Sequence, residues 1–135
     1  MSHIQKIRHI HPMEINVDLE FLIQCIEACV DCAQSCSACA DACLGEENIH
    51  ELVPCIRLDL DCADICEVAS RGLSREVAAN WELTRGQLEA AYTACRLCQE
   101  ECQRHAHRHD HCALCAESCR QCEEACRQLL ETLPD

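Results

Sequence analysis

Cysteine recurs at helical intervals through most of the sequence. Residues 25–43 read CIEACVDCAQSCSACADAC, in which six cysteines follow one another at steps of 4, 3, 4, 3 and 4. Side chains at such steps lie on one face of an α-helix, at the a and d positions through which helices pack in bundles. The pattern therefore places sulfur where a helix ordinarily places leucine, in the core.

Three further segments follow the same rule, with steps of 3, 4 or 7, so that each of four helices carries one cysteine seam. Three Gly and three Pro in 135 residues favour long helices over a turn-rich β fold. We predict an all-α fold, an antiparallel four-helix bundle with a cysteine-lined core. The seams contain Cys25, Cys29, Cys32, Cys36, Cys39 and Cys43; Cys55, Cys62 and Cys66; Cys95, Cys98 and Cys102; and Cys112, Cys115, Cys119, Cys122 and Cys126.

Capping and turn residues divide the chain into an N-terminal arm or short helix (1–17) and the bundle (18–135). The predicted helices run from about 18 to 44, 47 to 70, 84 to 107 and 110 to 130, with a short helix at 74–83. Gly45 ends the first bundle helix, and Pro54 kinks the second or marks where its regular part begins. Thr84 with Gln87 resembles a capping box, and Asp110 is predicted to cap the last helix.

Composition restricts the compartment and the partners. No run of about 18 apolar residues is present, so we expect no membrane span. The N-terminal segment has no apolar h-region, so we expect no signal peptide and a cytoplasmic protein. In that reducing compartment many thiols indicate metal or catalysis more than disulfides. A formal charge of −13 argues against nucleic acid and anionic membranes as partners.

Several roles are open to so many core thiols. Alanine or leucine would pack as well as cysteine without the oxidation risk. Neighbours at i+3 and i+4 in a helix are poorly placed for disulfides, and the count of seventeen is odd. A redox enzyme needs one or two accessible thiols of low pKa, and the iron–sulfur motif CxxCxxCxxxCP is absent. Because no nucleophile–base pair emerges either, we do not predict an enzyme.

Metal storage fits the seams best, and charge favours Cu(I) over zinc. A Zn(Cys)₄ unit carries a net charge of −2, and no Lys or Arg lies on the seams to compensate it. Cu(I) prefers thiolate, and each ion replaces one proton, so a one-to-one array stays near neutral. If every thiolate bridges two ions and every ion binds two thiolates, the core would hold about one ion per cysteine, on the order of 17 per chain. A zinc or cadmium buffer, with about one metal per four thiols, and a protein that stores oxidising equivalents as disulfides are the alternatives.

The two ends of the predicted core differ in chemistry. The seams lead at one end to Phe21, Leu22, Leu88, Leu129 and Trp81, which we call the apolar end. At the other they lead to His105, His107, His109 and His111, which we call the histidine end. Metal would enter and leave there, since imidazole is the polar ligand available. Asp59 continues the second seam and is a candidate ligand, a candidate proton acceptor, or a residue turned to water.

With cysteine on every seam and a His-rich turn before the last helix, the chain resembles the bacterial copper storage proteins, in their cytosolic branch, over about residues 18–130. The resemblance implies a homotetramer of bundles, each storing many Cu(I) ions through all seventeen cysteines. It further implies ligation at the histidine end by His105, His107, His109, His111 and Asp59. Copper chaperones or small thiols are the expected sources of the ions. Methionines that rim the opening in the exported branch are not evident, because Met1 and Met13 are the only two.

Overall fold

Helices account for most of the described molecule. The structure is a computed structural model that describes residues 2–14 and 17–134; Met1, Ile15, Asn16 and Asp135, which fall in the predicted arm and bundle, lie outside the described residues. Five helices follow in the order α1 (His3–Ile10), α2 (Leu19–Leu44), α3 (Ile49–Leu73), α4 (Trp81–Gln103) and α5 (Asp110–Thr132). The described ranges contain no strand, and the all-α prediction is confirmed.

The four long helices form the predicted bundle. Helix α2 packs against α3 and α5, and α4 packs against the same two helices on the opposite side. Short connections between consecutive helices make the neighbours antiparallel. The four seams therefore face one another around a single core. Among the described residues no helix has the length and apolarity that crossing a membrane requires.

Helix starts explain where the sequence-based boundaries were right and wrong. Helix α2 begins close to the predicted residue 18, where Asp18 is its N-cap: the Asp18 Oδ1 accepts from the Phe21 N–H at 3.0 Å. The predictions of a short helix at 74–83 and of a cap at Thr84 are wrong. Ser74 instead ends α3, residues 75–80 turn, and the Asn80 side chain caps α4 by accepting from two backbone N–H groups. The turn requires a positive φ of 57° at Ala78.

Three other boundaries also differ from expectation. Helix α3 runs past Ser70 to Leu73 and includes Pro54 in its second turn. Helix α4 ends at Gln103, and residues 104–108 form turns. Asp110 is the first residue of α5, not its cap, and the N-cap position belongs to His109. Each correction shortens or shifts an end without moving a seam, so the core is unaffected.

Apolar side chains close one end of the core, as predicted. Leu22, Leu88 and Leu129 are at most 2% exposed, and Phe21 and Trp81 pack against them half-buried. They come from the ends of α2, α4 and α5 that lie farthest from the histidine turn. Their burial excludes water from this end of the bundle.

Helix α1 adds a feature that the sequence did not predict. Its Arg8 side chain is only 1% exposed and lies 3.9 Å from the carboxylate of Glu76, which is 3% exposed, in the α3–α4 connection. Gln5 of the same helix donates to Glu27 at 2.9 Å. Helix α1 is thereby attached to α2 and to the α3–α4 connection, outside the cysteine core.

Candidate metal centre

All seventeen predicted cysteines lie in the core as free thiols, each at most 2% exposed. Their burial follows from the sequence because residues 3, 4 and 7 apart share the one face of each helix that the bundle covers. The core therefore contains sulfur along nearly its whole length.

Sulfur atoms from different helices approach one another closely. Near the apolar end the Cys25 and Cys126 Sγ atoms are 3.8 Å apart, and those of Cys29 and Cys122 are 3.7 Å apart. Cys66 Sγ lies 3.9 Å from Cys122 Sγ and so joins α3 to this group. These separations are contacts between thiols, well beyond the length of a disulfide bond.

Cys32 lies at the centre of the array. Its Sγ is 3.7 Å from that of Cys36, 3.8 Å from that of Cys119, and 3.9 Å from those of Cys62 and Cys95. These five residues come from all four helices of the bundle. One thiolate at this position can therefore bridge ions held by several helices.

The possible ligand groups share members. Donor atoms within 4.8 Å of one another form the groups Cys32–Cys66–Cys95–Cys122, Cys32–Cys36–Cys62–Cys119, and Cys36–Cys98–Cys115–Cys119. Because Cys32, Cys36 and Cys119 each belong to two of these groups, the groups cannot all be closed tetrahedral sites with four ligands of their own. The arrangement is a continuous array suited to bridging thiolates.

Asp59 is fully buried inside this array. Its Oδ1 lies 3.1 Å from the Cys98 Sγ, 3.3 Å from that of Cys115 and 3.5 Å from that of Cys102, and its Oδ2 lies 3.8 Å from the Cys55 Sγ. The possibility that it turns to water is excluded. Burial, together with the negative charge of the neighbouring thiolates, raises the pKa of Asp59 to about 11. Its carboxyl is thus protonated near pH 7 in the copper-free protein.

At the histidine end His111 joins the outermost thiols. Its Nδ1 lies 3.4 Å from the Cys39 Sγ and 3.6 Å from the Cys112 Sγ, and Cys43 completes a group of four donors. Burial raises the pKa of Cys112 to about 12 and raises that of Cys43 above its ordinary value. These thiols hold their protons near pH 7, so a metal ion must displace protons to bind them.

The other three histidines differ in placement. His109 stacks on His111, and the centroids of the two rings are 5.4 Å apart. His105, four residues before His109, is half-buried. His107 is exposed. The structure therefore brings His109 and His111 to the array, places His105 within the turn between α4 and α5, and leaves His107 facing solvent.

Two carboxylates that contact these histidines were not among the predicted site residues. Glu101 Oε2 lies 2.7 Å from His105 Nε2, and Glu46 Oε2 contacts His109 Nδ1. Glu101 lies in the last turn of α4, four residues before His105, and this i,i+4 spacing could have indicated the contact from the sequence. Glu46 lies in the α2–α3 turn, distant in sequence from His109, and only the bundle brings the two together.

A family model described as copper storage protein matches residues 19–131, which contain all seventeen cysteines. The chain belongs to the copper storage protein family. The resemblance inferred from the seams is thereby confirmed. No protein with a curated description matches the sequence.

Solved copper storage proteins share the fold over nearly the whole chain. Ccsp from Streptomyces lividans, loaded with 10 copper equivalents, is 46% identical, with a TM-score of 0.95, over 96% of this chain and 99% of its own. The cytosolic copper storage protein from the same organism with five coppers is 50% identical, with a TM-score of 0.84, over 85% and 96%. Cu(I)-bound BsCsp3, from Bacillus subtilis, is 37% identical, with a TM-score of 0.72, over 82% and 98%.

Proposed function

We propose that this chain stores and buffers many Cu(I) ions in its bundle core, and that the ions enter and leave at the histidine end. The observation that carries the proposal is the sharing of Cys32 and Cys36 between neighbouring ligand groups. Shared thiolates bridge two ions, as a soft monovalent ion that accepts low coordination numbers allows. Copper-loaded relatives support the same conclusion.

The charge of the core favours a monovalent ion. Among the described residues the one buried cationic side chain is Arg8, and it pairs with Glu76 outside the array. A Cu(I) ion that replaces one thiol proton leaves the core neutral, whereas a divalent ion on four thiolates leaves two negative charges in a dry interior. The zinc or cadmium alternative has no support from the family or from these relatives.

We assign the ligand roles as follows. All seventeen cysteines ligate Cu(I), and Asp59 ligates or gives up its proton when an ion reaches Cys98, Cys102 or Cys115. His109 and His111 pass ions to Cys39, Cys43 and Cys112, and His105 assists them. His107 has the weakest case among the predicted ligands, because it faces solvent. The protein acts without catalysing a reaction, and acid releases copper because protons compete for thiolates.

The assembly and its setting are part of the proposal. Val30 and Leu60 are exposed beside one groove between α2 and α3, and Val68 and Leu97 are exposed on α3 and α4. Apolar surface of this kind suits the contacts of a homotetramer. We place the protein in the cytoplasm, where chaperones or small thiols deliver Cu(I), in line with the relative described as cytosolic.

Anaerobic titration of the reduced protein with Cu(I), against a chromophoric Cu(I) chelator, tests the storage function. We expect the protein to remove many Cu(I) ions per chain from the chelator, and the number should approach one ion for each of its seventeen cysteines. Cys32→Ser removes a shared thiolate and should lower this capacity more than Cys126→Ser at the apolar end. Saturation at about four ions or fewer, with Zn(II) competing effectively, would refute the proposal.

A further inference from the structure

Two residues of the histidine end, His105 and His109, each have a carboxylate on one ring nitrogen. Glu101 Oε2 lies 2.7 Å from Nε2 of His105, and the side chains of Glu101 and His105 are 14% and 16% exposed. Glu46 Oε2 contacts Nδ1 of His109, whose side chain is 11% exposed. An ionised carboxylate has only acceptor atoms. The ring nitrogen that faces it must therefore carry the proton.

This contact determines which nitrogen of His109 is free. With the proton on Nδ1, the lone pair of a neutral ring is on Nε2. The His109 Nε2 atom is buried and has no hydrogen-bond partner among the residues that the structure describes. A buried polar atom without a partner is costly, so a ligand that satisfies it is stabilised by that interaction. The vacant lone pair is suited to a soft cation, because imidazole nitrogen is a good ligand for copper.

We propose that Glu46 and Glu101 are positioning residues for copper uptake. Each holds its histidine in one tautomer and one ring orientation, so that a nitrogen lone pair is available to an incoming Cu(I) ion. The inference rests on the proposed storage function. In metal sites generally, a carboxylate behind a histidine ligand fixes its tautomer and raises its basicity.

The proton balance shows why the tautomer matters. Cu(I) binding to a free Nε2 lone pair releases no proton, whereas binding to an Nε2–H nitrogen requires that the proton leave first. His109 stacks on His111, whose Nδ1 lies 3.4 Å from the Cys39 Sγ. The ion passes from imidazole to these thiols, and the proton is released there, as the thiolate forms. Glu46 thus makes the first step independent of proton transfer.

The two negative charges also attract cations, and a matched control separates this effect from positioning. Glu47 follows Glu46 in the same α2–α3 turn, and its side chain is exposed. Glu47→Gln removes the same charge from the same turn as Glu46→Gln. A purely electrostatic role would give the two variants similar uptake rates, because both reduce the net charge equally.

The experiment combines a tautomer measurement with uptake kinetics. Long-range ¹H–¹⁵N correlation spectra of the reduced apo protein report which nitrogen of His109 is protonated. Stopped-flow mixing with a Cu(I)–chelator complex gives the uptake rate, and titration gives the capacity. We expect Nδ1–H in the wild type and in Glu47→Gln. In Glu46→Gln the tautomers should mix, since an amide pairs with either one, and uptake should slow about tenfold at unchanged capacity.

Each outcome has a defined meaning. The inference fails if Glu46→Gln and Glu47→Gln share tautomer and uptake rate, or if the tautomer changes while the rate does not. If the Glu46 variant does not fold, Glu101→Gln gives the same comparison at His105. If the wild type removes no copper from the chelator, the storage function itself fails, and the spectra still decide whether Glu46 sets the tautomer.

Discussion

Replacing Asp59 by asparagine should make the copper-free protein more stable near neutral pH. Asp59 is fully buried among Cys55, Cys98, Cys102 and Cys115. A carboxyl group in this position must stay protonated, whereas in the unfolded chain it ionises. Asparagine has nearly the same shape and never ionises, so the Asp59→Asn variant avoids this difference between the folded and unfolded states.

The size of the expected stabilisation follows from the pKa of Asp59. Burial first, and then the charges of nearby thiolates, raise the pKa of Asp59 from 3.8 to about 11. Its contribution to the free energy of unfolding is therefore complete below the unfolded pKa of 3.8 and is lost as the pH rises toward 11. At pH 7 the loss has an upper limit of about 4 kcal/mol, at 1.36 kcal/mol per unit. The amide N–H2 of asparagine would have only thiol sulfur atoms, which are weak acceptors, as partners in this position, and this cost offsets part of the gain, so we expect about 2 kcal/mol.

Urea unfolding of the reduced apo proteins between pH 4 and pH 8 would measure this effect. The stability gained by Asp59→Asn should be about 2 kcal/mol at pH 7 and should shrink steadily as the pH approaches 4. Asp64→Asn is the matched control, because Asp64 is exposed on the same helix and its replacement should change stability little at any pH. A gain that does not vary with pH, or a loss of stability at pH 7, would show that Asp59 is ionised in the apo core.

Three further perturbations test the histidine end, the apolar end and a helix cap. Replacing His105 and His109 together by alanine should slow Cu(I) uptake in stopped-flow experiments without lowering capacity, while His107→Ala changes neither; reduced capacity at an unchanged rate would contradict the assigned entry. Leu88→Ala should destabilise the apo protein by about 3 kcal/mol in urea and leave copper capacity intact, because the buried Leu88 side chain fills the apolar end and has no ligand atom. Asn80→Ala should cost about 1 kcal/mol by removing the cap of α4, and an unchanged unfolding midpoint would mean that the cap is dispensable.

The seams were predictable because one periodic rule governs them. Steps of 3, 4 and 7 determine a helix face whatever the neighbours are, so the burial of residues such as Cys32 and Cys119 followed from the sequence alone. The start of α4 was not predictable in the same way. Ser74, Asn80 and Thr84 all have side chains that can cap, and the choice depends on the turn at Ala78.

The contacts that the sequence did not reveal are those between distant segments. Arg8 is buried only because the bundle brings Glu76 to it, and a lone arginine on an eight-residue helix gives no periodic signal of burial. The depth of Asp59 in the core depends on the relative register of α3, α4 and α5, which helical spacing within one segment does not determine. The contact between Glu46 and His109 also depends on the assembled bundle, because Glu46 lies in the α2–α3 turn and His109 in the connection between α4 and α5.

One end of the core is closed by Leu22, Leu88 and Leu129. Because ions would then enter and leave at the same end, they should leave in the reverse of the order in which they entered. With exit at the histidine end, as proposed, an ion near Cys25 and Cys126 leaves only past the ligands that lie between it and the imidazoles. The last ion to arrive is then the first to depart. With entry and exit at the histidine end, as proposed, one molecule would hold a fraction of its ions that exchanges readily and a second fraction, near the apolar end, that exchanges only after the first has left.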